Sequence, residues 1–297
     1  MTKKDFITKN NLYEIKTKLK TLFEYVKMEH TVFDLPFIFA GALIASNGII
    51  EMYKFFIILF VAISARGAAM SINRILGLKY DITNPRKRNW ALVTGEINLR
   101  QAIAFTLMLV FIFEGLTYLL NNLVFMLSPI VLIFFIADPL MKRVTSLRHL
   151  FMGFTIGLGI IGGYLAVNPN FPPAIIYLMV AGSTFWIAGF DIIYTIPDEV
   201  YDKKNGLKTI IVKYGVKKGL IISWVFHIFT IIFFIYIAFI VHSIYYILAL
   251  IPIIILILYE HVAIHGTTPE NVRKVFFNPN SIIGFLFLIG IYISLVA

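Results

Sequence analysis

Nine runs of mostly apolar residues, separated by short polar loops, constrain this chain more than any other feature. They lie at about 32–49, 54–76, 100–119, 121–137, 147–167, 172–194, 218–239, 243–259 and 281–297. A helix needs about 20 apolar residues to cross the hydrocarbon layer, and a helix satisfies its own backbone hydrogen bonds there. The expected fold is therefore all-α: a polytopic membrane helix bundle with about nine transmembrane helices. Composition agrees. Only 14% of residues are charged and 59% are hydrophobic, against about 25% charged in a soluble domain, so most of the surface cannot face water. The chain has no Cys, which excludes disulfides and thiolate metal sites.

Residues 1–31 read as a basic amphipathic N-terminal segment. It carries Lys3, Lys4, Lys9, Lys16, Lys18, Lys20 and Lys27, with apolar spacing at Leu12, Ile15, Leu19, Leu22, Phe23 and Val26. It lacks the short apolar core and small-residue cleavage site of a signal peptide. Residues 32–297 then form a single transmembrane domain. Alternating sides from the N-terminus places 23 of the 26 Lys and Arg on one side. Lys54 falls opposite, and Arg66 and Arg74 fall within the second span. The positive-inside rule makes the N-terminus and its loops cytoplasmic and the C-terminus external, in the plasma (inner) membrane. The net charge of +10 fits basic collars against lipid headgroups rather than nucleic acid, and no obligate protein partner is evident.

An ionised side chain in hydrocarbon costs about 2.5–3.5 kcal/mol on insertion scales, so charged residues within spans should face the bundle interior. Asp191 lies in the apolar run GSTFWIAGFDIIYTIP, and Arg66, Asn73 and Arg74 lie in or at the end of the second span. One expectation is structural pairing of Arg66 or Arg74 with Asp191; the other is a polar site. Glu114 in the third span and Asp34 in the first read as structural. Glu260, His261 and His265 sit in EHVAIH, which is not the HExxH zinc pattern.

Two loops on the basic side carry the chemistry. NRILGLKYDITNPRKRN runs from Asn73 to Asn89 and YTIPDEVYDKKNGLK from Tyr194 to Lys208. At an offset of 121, Asn73 falls on Tyr194, Gly77 on Asp198, Tyr80 on Tyr201, Asp81 on Asp202 and Asn84 on Asn205. This reads as an internal repeat of two parallel halves, about 32–146 and 147–297. Asp198 and Asp202 are spaced to share one helical face, and paired carboxylates need a cation between them. With Asp81 they offer hard oxygen ligands, suited to Mg2+ shared with substrate phosphates. Arg86, Arg88, Lys142, Arg143 and Lys203 are cations able to hold phosphate oxygens, or else part of the basic collar. A diphosphate head on the loops with an apolar tail among the spans is the ligand such a chain accommodates.

Several segments resemble the UbiA superfamily of intramembrane aromatic prenyltransferases, nearest its 4-hydroxybenzoate polyprenyltransferase branch and the futalosine-route menaquinone enzyme. They are KMEHTVFDLPF at 27–37, ARGAAMSINR at 65–74, DITNPRKRNWAL at 81–92, DPLMKRVTSLRH at 138–149, GFDIIYTIPDEVYDKKNG at 189–206 and FFNPN at 276–280. The resemblance implies Mg2+-dependent transfer of a polyprenyl group from a prenyl diphosphate to an aromatic hydroxy acid, of 4-hydroxybenzoate or hydroxynaphthoate type, in ubiquinone or menaquinone biosynthesis. It implies inner-facing Asp-rich loops with Asp81, Asp198 and Asp202 as metal ligands and catalytic groups, and Asp191 beside them as a group that orients or activates the acceptor. Lys142 resembles the diphosphate-binding lysine, with Arg66, Arg86 and Arg88 in support. Asn73 joins Asp81 in the first site, Asp191 and Tyr194 resemble inward polar positions on the helix before the second loop, and Lys27 resembles a basic position near the acceptor entrance. Two departures stand out: Gly77 occupies a position where the family has Asp, and Asp138 one where it often has Tyr. Asp138 reads either as a restored carboxylate or as a helix cap. Other readings are a glyceryl phosphate or haem-precursor acceptor, a non-catalytic prenyl-phosphate binder, and a transporter.

Overall fold

The computed structural model describes residues 16–264 and 268–297. Among them, nine helices are long and apolar enough to cross a membrane: α1 (Thr31–Ala45, entered through a turn at Met28–His30), α2 (Met52–Asp81), α3 (Leu99–Leu120), α4 (Asn122–Val144), α5 (Arg148–Val167), α6 (Ala174–Tyr194), α7 (Ile210–Val241), α8 (Ile244–Ala263) and α9 (Pro269–Val296). With nine alternating crossings, residues 16–30, the loops after α2, α4 and α6, the end of α8 and the start of α9 share one face, here the loop face. Residue 297 lies on the other.

Several helices outrun their apolar runs on the loop face. α2 continues to Asp81 and α9 begins at Pro269. α7 begins at Ile210, eight residues before the expected span, and bends at Gly215, whose φ of 76° leaves the helical range. Hydropathy marks only the part within hydrocarbon, while backbone hydrogen bonding carries a helix into the polar layer. The turn between α3 and α4 is short because Asn121 does double duty. It ends α3 and caps α4 by accepting from Val124 N at 3.0 Å, while its amide donates to Leu165 O at 2.8 Å. Residues 16–25 are helical with Leu19 and Phe23 exposed, and Tyr25 and Val26 pack on Leu92, Ile97 and Ala102. Lys3, Lys4, Lys9, Leu12, Ile15 and His265 lie outside the described residues.

Helix α6 is the hub, packed between α5 and α7. Small residues let the backbones meet: a Cβ on Gly163 would collide with the Ile38 carbonyl of α1, and one on Gly153 with the Thr184 carbonyl of α6. An aromatic core fills the space among α1, α6, α7 and α9. Phe287 stacks on Phe37 with ring centroids 4.7 Å apart and lies 4.8 Å from Phe234, and Trp186 lies 5.1 Å from Phe37. By contrast α3 and α4 present Leu107, Phe111, Met126 and Ile133 outward, as a lipid-facing wall should.

Candidate active site

A cavity of about 610 Å³ opens among α1 to α6, and among the described residues none of α7, α8 or α9 lines it. Its wall changes character along α4. Lys142 and Asp138 stand at the loop face, then Phe134 and Val131, then Leu127 and Val124. From Val124 to Lys142 is about 27 Å of helix rise. The polar end also holds Asn73, Arg86, Lys87, Arg148, Asp191, Tyr194 and Asp198.

The three loop carboxylates are all buried, and each meets its own cation. Asp81, at the end of α2, lies 2.7 Å from Lys87 Nζ. Asp198, in the turn Ile196–Asp198, lies 2.5 Å from Arg86. Asp202, on the short helix Glu199–Lys204, lies 2.9 Å from Lys142 Nζ. The two loops are stitched directly. Asn84 caps the turn Pro85–Lys87 and donates to Asp198 at 3.2 Å. Tyr201 Oη donates to the Tyr80 carbonyl at 2.5 Å and meets the Thr83 hydroxyl at the same distance.

The Lys142 ammonium holds Asp202 at one oxygen, and among the described residues no other group donates to the carboxylate. Burial pushes the Asp202 carboxyl above the ordinary range, Lys142 opposes this, and Asp198 adds to it. Such a buried, under-satisfied carboxylate fits a hard cation that brings its own waters and phosphate oxygens. Among the described residues, no three His, Cys, Asp or Glu side chains gather closely enough to hold a metal unaided. Asp81, Asp198 and Asp202 therefore form no protein-only cage.

The other anticipated residues divide. Lys27, Arg66, Asn73, Arg86, Lys142, Asp191 and Tyr194 line the cavity, with the Arg86 guanidinium 5.1 Å from the Tyr194 ring centroid. Arg88 does not line it and is exposed: the turn Pro85–Lys87 brings Arg86 and Lys87 to the cavity and leaves Arg88 beyond it. The pairing of Arg66 or Arg74 with Asp191 is replaced by other partners. Arg66 meets Asp34 at 2.9 Å across α1 and α2. Arg74 donates to the Tyr25 carbonyl and lies on Trp90, 3.9 Å from the ring centroid. Asp191 is held by His149 Nδ1 at 2.6 Å and Arg148 at 3.2 Å, the first two residues of α5. His149 Nε2 accepts from Ile210 N at 3.4 Å, which leaves Nδ1 as the protonated nitrogen facing Asp191. Asp138 is no helix cap, because α4 continues to Val144. It lines the cavity, with Oδ1 buried and without a donor. Glu114 is tied to Ser128 at 2.5 Å, in line with the structural reading. Beyond the cavity, His261 meets His227 at 2.8 Å.

Sequence reasoning did not single out Lys87, Arg148 or His149. Lys87 stood within the basic collar, and Arg148 and His149 close the quoted segment DPLMKRVTSLRH without a role of their own there, because the partner of His149, Asp191, lies 42 residues away.

The UbiA prenyltransferase family matches residues 35–288. The chain is 31% identical to 4-hydroxybenzoate geranyltransferase 1 of Lithospermum erythrorhizon over 55% of its length, spanning about half (53%) of that relative. It is 28% identical to 4-hydroxybenzoate octaprenyltransferase of Photobacterium profundum, over 84% of this chain and 87% of the other. Among solved structures, an apo UbiA homolog from Aeropyrum pernix K1 superposes with a TM-score of 0.80 at 28% identity, covering 89% of this chain and 98% of that one. A UbiA homolog from Archaeoglobus fulgidus bound to GPP and Mg2+ shares the fold, with a TM-score of 0.72 at 18% identity over 93% of this chain and 100% of that one.

Proposed function

The chain belongs to the UbiA prenyltransferase family, and on that premise we propose that it transfers a polyprenyl group from a prenyl diphosphate to an aromatic hydroxy acid of 4-hydroxybenzoate or hydroxynaphthoate type, for quinone biosynthesis. The observation that carries this reading is the graded cavity: cations and carboxylates at the loop face run continuously into an apolar wall. Its two hydroxybenzoate-prenylating relatives support the acceptor class.

In this reading the diphosphate sits between the two loops. Lys142 and Arg86 exchange their carboxylate partners for phosphate oxygens through charge-assisted bonds. Asp198 and Asp202 would hold Mg2+, an ion that the Archaeoglobus fulgidus homolog binds together with GPP, and the ion would supply charge neutralisation to the departing diphosphate. The tail runs along α4 past Phe134 toward Val124, where hydrocarbon walls keep water from the reactive allylic carbon. Lys27 and Arg66, both lining the cavity on the α1–α2 side, attract the acceptor carboxylate, and Asn73 and Tyr194 border the same space. Asp191 acts as a positioning residue: together with His149 it fixes Arg148 at the cavity wall. The loop face is cytoplasmic, in the plasma or inner membrane, because the basic residues collect there.

A mass-spectrometric assay tests the proposal, offering prenyl diphosphates of several lengths with hydroxybenzoate, hydroxynaphthoate and glyceryl phosphate acceptors. A prenylated aromatic product that disappears with D198A, D202A or metal removal is expected. Transfer to glyceryl phosphate alone, or flux of an intact prenyl diphosphate across vesicles without product, overturns it.

A further inference from the structure

The first loop has lost a carboxylate and kept a space. Gly77 stands where the repeat offset puts Asp198 in the second loop, so Asp81 has no carboxylate partner one turn away. Around Gly77 lies a small polar cavity of about 50 Å³ bounded by Asn73, Asp81, Lys87, Lys142 and Asp202. A Cβ on Gly77 would rest 3.5 Å from Asp81 Oδ2, an ordinary contact. Crowding therefore does not exclude a side chain here.

What faces Asp81 instead is a lysine held in place. Lys87 Nζ lies 2.7 Å from Asp81 Oδ1 and 4.7 Å from the Trp90 ring centroid, and the turn that carries it is capped by Asn84. Lys87 lines both the small cavity and the large one, so its ammonium is within reach of a bound phosphate. Mg2+ requires near-octahedral oxygen coordination at about 2.0–2.1 Å and dehydrates reluctantly. One carboxylate already neutralised by an ammonium is a poor host for it. The first loop, with that single carboxylate and its own lysine on it, does not fit a divalent ion, whereas the second loop brings two carboxylates, Asp198 and Asp202, one turn apart, whose cations Arg86 and Lys142 come from other segments.

Resting on the prenyl diphosphate reading, we propose that the Lys87 ammonium permanently replaces a divalent cation on the first loop, so that this protein binds its diphosphate with a single Mg2+, on the second loop. Asp81 then anchors the lysine rather than ligating metal. The ammonium offers three donors and a point charge; Asp81 takes one donor, and phosphate oxygens take the rest. This arrangement keeps part of the clamp intact when metal is scarce.

Calorimetric titration of the nanodisc-embedded protein tests the proposal, with Mn2+ bound per protein counted by electron paramagnetic resonance and two probes used in parallel, a prenyl thiodiphosphate and inorganic diphosphate. The native chain is expected to take up one divalent ion per bound diphosphate, and the G77D/K87M double variant two. K87M alone should weaken diphosphate binding in EDTA by about tenfold, the scale of one charge-assisted bond, with K87R retaining most of it. Two ions in the native chain, or K87M binding diphosphate in EDTA within about twofold of native, overturns the proposal. These two results need no folded double variant. Inorganic diphosphate bound with one ion but no binding of the prenyl probe sinks the prenyl transfer reading and leaves the lysine's role standing.

Discussion

The two aspartate loops begin from one pattern and end with different chemistry. In the second loop, Asp198 and Asp202 stand one turn apart, and Lys208 is exposed and donates to the Val144 carbonyl. In the first, Gly77 removes one carboxylate, and Lys87, at the position matching Lys208, turns inward to Asp81. The roots differ as well. Asp191 precedes the second loop and is braced by Arg148 and His149, while the matching position before the first loop is Met70. The matched positions Tyr80 and Tyr201 meet across the two loops, while charge is distributed differently on either side of them. The first loop supplies its own cation to Asp81, while the carboxylates of the second loop take theirs from elsewhere, Arg86 of the first loop and Lys142 of α4.

The largest effect should separate the loops at once. D202A is expected to reduce prenyl transfer by about 10²–10³-fold, the range for losing one electrostatic contact to developing charge, and to abolish Mg2+-dependent diphosphate binding. D81A should change Mg2+ affinity by no more than roughly threefold, well below one full charge-assisted bond. Equal losses of Mg2+ affinity would mean that the loops are equivalent, and calorimetry decides it. Next comes the brace found only on the second loop. D191A leaves Arg148 buried without its main partner, and breaking such a pair costs about 3–5 kcal/mol; a lower thermal midpoint in detergent is the expected readout, with M70A much milder. A smaller effect comes from the stitch between the loops. N84A removes a cap and the hydrogen bond to Asp198 and should cost about 1–2 kcal/mol, read by thermal unfolding. The smallest is a pH effect. Because burial raises Asp202, a proton competes with Mg2+ there at higher pH than at an ordinary carboxylate. Mg2+ affinity should fall on mild acidification in the native chain, and D202N should lose that dependence.

Much of this was legible beforehand because its causes are local. The nine spans follow from apolar length, and the loop face follows from where Lys and Arg collect. The ion pairs were not legible. Asp191 was weighed against Arg66 and Arg74 but meets Arg148 and His149, because α5 rather than α2 packs against that part of α6. Arg88 looked as suitable as Arg86, yet a single capped turn decides which of the two reaches the cavity. In sequence Asp138 reads equally as a cap or a cavity carboxylate, and only the continuation of α4 to Val144 separates the two.

The amino-acid order alone determined that the chain must live in a bilayer as helices, which side gathers its charge, and that two aspartate-bearing loops lie on that side. Tertiary packing alone decided which cation meets each carboxylate and that the hollow lies among α1 to α6 while aromatic rings fill the rest. The division has one physical reason. Transfer into hydrocarbon is nearly additive along the chain, so it can be read residue by residue. A salt bridge such as Arg86 with Asp198, or a cavity bounded by six helices, depends on distances between distant segments that only the packed bundle sets.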